Sequence, residues 1–143
     1  PNSSRSMKEY KRLISYMDLG VEKTSPTNIN INVPINDASD FSAAEMMISM
    51  KKASNSLEEN KDKTQLELFA DNNKSIFSIL GELKKEKTGF WWELYVPIFY
   101  DFVNSDLVEP FSYYISISQG EKATNWLAEN EDKFNQFANW FKK

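Results

Sequence analysis

The chain has 143 residues, 41% of them apolar and 14% aromatic, with 17 basic against 21 acidic residues and a net charge of −4. That is enough chain to bury one substantial core, and its mildly acidic surface repels phosphate backbones, so nucleic acid is not expected as a partner. Without a single cysteine or histidine there are no disulfides, no thiolate nucleophile, no Ser-His-Asp machinery and no ordinary zinc site.

The start, PNSSRS, is polar and expected to be disordered. It reads either as a cloning remnant before Met7 or as the edge of a processed piece. Residues 7–19 place Tyr10, Leu13, Ile14 and Met17 at helical spacing, with Gly20 as a C-terminal cap. Residues 20–40 are rich in Asn, Ser, Thr and Pro. The alternation in NININV suits a short strand, but Pro26 and Pro34 on either side favour a long extended loop. At Phe41-Ser42-Ala43-Ala44-Glu45-Met46, Ser42 and Glu45 match a capping box, and Phe41 and Met46 a hydrophobic staple. Met46, Met50, Ala53 and Leu57 then form the stripe expected to face the core, with Met47 filling a gap or joining an adaptable binding face.

A second box, Thr64 to Glu67, opens a run to about residue 87 that DNNKS (71–75) is expected to divide in two. Residues 90–104 form an aromatic helix, 107–118 another with Pro110 in its first turn, and the tail two more. Trp126 and Leu127 lie in the first of these, and Phe134, Phe137, Trp140 and Phe141 share one face of the last. The result is an all-α domain spanning 1–143, with six or seven helices in an irregular helical-hairpin array, solenoid-like or an orthogonal bundle, and the 90–104 helix at its centre.

The stretch GFWWELYVPIFYDF (89–102) holds seven aromatic residues in fourteen positions. It is too short and too charged to span a membrane. Its polar positions Glu93, Pro97, Tyr100, Asp101 and Asn104 carry no cation, unlike an interfacial helix. Most of the rings are therefore expected in the core. Pro97 should kink the helix near Glu93, and the kink offers a pocket or partner groove lined by Trp92, Glu93, Tyr95, Tyr100 and Asp101, with Tyr113, Tyr114 or Trp91 beside it. Glu93, Asp101 and Glu109 are candidate acid and base groups. The acidic tracts SLEENKDK and AENEDK lack the ligand spacing of a calcium loop, and no glycine-rich phosphate cradle is present, so no cofactor or metal is expected. Asn2-Ser3-Ser4 and Asn73-Lys74-Ser75 match the glycosylation pattern.

The runs FWWELYVPIFYDFVNSDLVEPFSYYISISQ and NWLAENEDKFNQFANWF, within 90–141, resemble the closing segment of bacterial tetratricopeptide-like helical-repeat proteins. The resemblance implies a helical-hairpin array whose last helices cap a solenoid and no catalytic residues, and it favours a processed, extracytoplasmic chain over a cytoplasmic one. The full tetratricopeptide signature is absent. The expected function is a non-enzymatic protein- or peptide-binding scaffold, whose partner is another protein, a peptide or a second copy, with Met47 or Trp92 in its contact face. The alternatives are a small-ligand binder or carboxylate enzyme using the pocket beside the kink, and a structural fragment of a longer chain.

Overall fold

The computed structural model describes residues 3–17, 21–23, 29–31 and 41–142. Among them are seven α-helices: α1 Ser4–Met17, α2 Ser42–Asn55, α3 Gln65–Leu83, α4 Val96–Asn104, α5 Val108–Ile115, α6 Glu121–Glu129 and α7 Glu131–Trp140. The fold is all-α, as composition and periodicity predict. Two three-residue strands, β1 Val21–Lys23 and β2 Ile29–Ile31, pair antiparallel. The strand reading of NININV therefore holds for Ile29–Ile31, against the favoured loop. Gly20 and the remainder of 20–40 lie outside the described residues. The helical start at Ser4 corrects the expectation of disorder for residues 3–6.

The centre of the array is α3, not the 90–104 helix. It packs against α2, α4 and α5, because its buried residues, including Leu68, Phe69, Asn73, Phe77, Leu80 and Gly81, lie around more than one face. The predicted capping box at its start is complete: the Thr64 hydroxyl accepts from the Glu67 N–H at 3.3 Å, and the Glu67 carboxylate from the Thr64 N–H at 2.6 Å. DNNKS does not break the helix. Its Asn73 is buried and donates to Ser112 Oγ of α5 at 2.9 Å, so a residue that reads as a breaker is satisfied by a partner 39 positions away. That burial also rules out glycan attachment at Asn73 in the folded chain. Two turns further along α3, Gly81 lets α4 approach closely, since a Cβ there would stand 1.9 Å from the Tyr100 ring.

The stripe expected to anchor α2 points outward. Met46 and Met50 are 50% and 48% exposed and Leu57 is exposed too, whereas the buried positions of α2 are Ala44 and Ser49. Small residues allow α2 to lie close against α3, and that proximity outweighs placing the methionines inside. No side chain caps this helix; Phe41 occupies the N-cap position and stacks on Trp92 at 5.0 Å, so neither the predicted box nor the staple sets its start.

The largest aromatic cluster joins Phe77 of α3, Phe102 of α4, Leu107 and Val108 at the start of α5, and Phe137 of α7. Pro110 sits in the first turn of α5 as expected. A second cluster holds Ala44, Leu80, Trp92 and Val96, and a third Tyr113, Ala123 and Leu127.

Candidate functional site

The aromatic helix does not begin as an α-helix. Gly89, at φ +111°, turns the chain, and residues Trp91–Tyr95 form one π-helical turn before α4. This is where the missing N–H of Pro97 predicts a local disruption. The widened turn is closed by the Val96 N–H bonding to the Trp91 carbonyl. Its start is fixed twice: Glu93 N–H donates to the Gly89 carbonyl at 2.9 Å, and Gly89 N–H to the Glu93 carboxylate at 3.1 Å. π-turns inside helices recur at functional sites because they re-aim side chains.

Here the turn splits the rings into two sets. Trp92 points inward and is 2% exposed, and Val96 and Phe102 are buried below it. Phe90, Trp91, Leu94 and Tyr95 point outward, at 62%, 56%, 47% and 39% exposure. The three outer rings touch one another, with centroids 5.3 Å apart for Phe90–Trp91, 5.1 Å for Trp91–Tyr95 and 5.8 Å for Phe90–Tyr95. Together they form one contiguous apolar patch on a backbone held by its own hydrogen bonds. The expectation that this part of the stretch is core is corrected. The face was missed because counting rings says nothing of which side of an irregular turn they occupy.

The predicted site residues are distributed as follows. Tyr95 belongs to the patch, and Glu93 is exposed but holds the turn. Trp92 is core, stacked on Phe41, so it offers no face to a partner; its buried indole N–H has no acceptor among the described residues. Tyr100 lies over Gly81 and donates to the Glu82 carboxylate at 2.6 Å, which raises its pKa. Asp101 accepts from the Trp140 indole at 2.5 Å and ties α4 to α7. Met47 is half-buried. The turn thus joins Glu93 to Tyr95, while Tyr100 and Asp101 are committed to helix–helix contacts. Of the flanking tyrosines, Tyr113 is buried against Trp126 and Tyr114 stacks on Phe134.

Carboxylates do converge elsewhere. A cleft of about 330 Å³ between the first half of α3 and the start of α5 is lined by Lys63, Glu67, Asp71, Lys74, Asp106 and Glu109. Lys63 pairs with Asp71 at 2.6 Å, Lys74 with Asp106 at 3.8 Å, and Lys133 with Glu109 at 2.6 Å. Glu67 is held in its ionised form by the Thr64 N–H and hydroxyl, which lower its pKa. The three ion pairs, together with a Glu67 committed to the cap of α3, make this cleft a set of charge pairs. No group of three or more acidic residues able to hold a metal ion occurs among the described residues. Among the described residues no helix is long and apolar enough to cross a membrane. The chain matches no family model, no curated protein and no solved structure.

Proposed function

We propose that the protein is a non-enzymatic binding domain that captures a short apolar protein segment on the patch Phe90, Trp91, Leu94 and Tyr95. One observation carries the reading: three aromatic rings stand exposed and in mutual contact, with the exposed Leu94 in the same turn, on a backbone fixed by two hydrogen bonds. Exposed rings forgo the stabilisation of burial, about 25 cal/mol for each Å² kept in water. A contiguous patch of this kind marks an interaction site. Trp and Tyr are also the residues that dominate binding energy at interfaces. The all-α class is in keeping with the helical-hairpin array that the resemblance of 90–141 to tetratricopeptide-like proteins implies.

The test is a selection of random twelve-residue peptides on the full chain, with depletion on a Trp91→Ala/Leu94→Ala double variant. Both side chains are exposed, so the variant keeps its fold, which a thermal melt checks. Peptides that bind the wild type and not the variant are expected. Binders indifferent to the double substitution, or none at all, would overturn the reading.

A further inference from the structure

We infer that α1 is a membrane-surface helix, which lays the domain on an anionic lipid bilayer through its cationic outer face, independently of the peptide patch. The helix Ser4–Met17 carries Arg5, Lys8, Lys11 and Arg12 against Glu9 alone, a net +3 on a chain of −4, so the remaining residues carry −7. At about 100° per residue the four cations fall within roughly 120° of the helix circumference. All four are exposed, and Arg5, Lys8 and Lys11 make no ion pair among the described residues. Glu9 stands at the edge of this stripe, where it borders a groove with Tyr10, Leu13 and Ile115. The opposite face of α1 holds it to the domain. Met17 is buried, Tyr10 and Ile14 are half-buried, and the Tyr10 ring meets Phe69 of α3 edge-on at 5.3 Å.

The edges of the stripe decide what covers it. On the helix surface Met7 lies next to Lys11 on one side, and Tyr16 next to Arg5 and Arg12 on the other, with Leu13 beyond it. These three are 42%, 57% and 41% exposed. Arg12 Nη2 donates to the Tyr16 hydroxyl at 3.3 Å, and its guanidinium lies over the same ring. A nucleic-acid backbone offers nothing to such apolar edges. A groove-type protein partner would need the apolar face that α1 already gives to Phe69. A lipid surface takes both features, the cations at its phosphates and the apolar side chains at the acyl boundary. The cations that the 89–102 stretch lacks for an interfacial helix are thus on α1. Each Lys or Arg beside an anionic leaflet strengthens binding about fivefold. The −7 of the remaining residues is repelled by the same leaflet, which orients the domain with α1 towards it.

Sedimentation of the full chain with vesicles of phosphatidylcholine and phosphatidylglycerol at 7:3 tests this, with pure phosphatidylcholine as the neutral surface. Binding to the anionic vesicles alone is expected, weakening between 50 and 300 mM NaCl. It should fall about twentyfold in Lys8→Gln/Lys11→Gln, which removes two cations. In Met7→Gln/Tyr16→Gln, which removes apolar edges, it should fall about tenfold. Both variants change exposed positions, and circular dichroism checks that they keep the fold. Trp91→Ala/Leu94→Ala should bind vesicles as the wild type does. No sedimentation, or sedimentation that ignores lipid charge or either α1 variant, would overturn the inference. So would binding lost in Trp91→Ala/Leu94→Ala and kept in the α1 variants, which would assign the lipid to the patch. A DNA duplex captured through Lys8 and Lys11 by a chain that ignores vesicles would give the stripe to phosphate backbones and overturn it too.

Discussion

The two ends of one aromatic stretch meet opposite fates. From Val96 to Val103 the side chains settle against α3, α5 and α7, with Phe102 1% exposed and in ring contact with Phe111, Phe137 and Trp140. From Phe90 to Tyr95 the same residue types stand in water, apart from Trp92. Composition does not separate the two ends; backbone register does. A regular helix would have carried one apolar face through both, whereas the π-turn before Pro97 lets a single ring, Trp92, serve the core and presents four side chains outward.

That contrast can be broken at several points. The largest expected effect is Phe102→Ala, which should cost about 3–5 kcal/mol in chemical denaturation by emptying the centre of the largest cluster. Gly81→Ala should follow at about 1–3 kcal/mol, since the new Cβ meets the Tyr100 ring near its root and ring or helix must shift. In a double-mutant cycle, Tyr100→Ala should relieve most of that loss. Gly89→Ala places a side chain at φ +111°, a cost of about 1–3 kcal/mol. It should also weaken binding at the patch, because the turn that aims the rings is disturbed. Thr64→Ala, at the far end of α3, should cost about 1 kcal/mol and leave the patch unchanged.

The smallest effect is a pH dependence. The Glu67 carboxylate has a pKa lowered first by the Thr64 N–H, so its contribution is complete above the ordinary carboxylate range and is lost as pH falls through the lowered folded value. Between pH 6 and pH 3 the wild type should therefore lose slightly more stability than Glu67→Gln, as thermal melts would show.

The parts of the fold legible in sequence were those set by local chemistry. The Thr64 box, Pro110 in a first turn, the outcome at Pro97 and the helical periods of the second half depend on residues within a turn or two of one another. What was not legible depends on distant partners. Asn73 belongs inside a helix only because Ser112 receives it, and the methionines of α2 face outward because Ala44 and Ser49 fit more closely against α3. At the candidate site the sequence supplied the place, a disruption near Glu93, and two of the patch residues, Tyr95 in the lining and Trp91 as one of the flanking alternatives. It did not supply the orientation of Trp91 and Trp92, neighbours of the same type that point opposite ways.

That pair gives the most direct test. Urea denaturation of Trp91→Ala and Trp92→Ala compares two substitutions identical in chemistry and adjacent in sequence. The account predicts that Trp91→Ala stays within about 0.5 kcal/mol of the wild type, while Trp92→Ala loses about 3–5 kcal/mol. Equal losses would contradict it, because both indoles would then be core and the outer face of the turn would not exist.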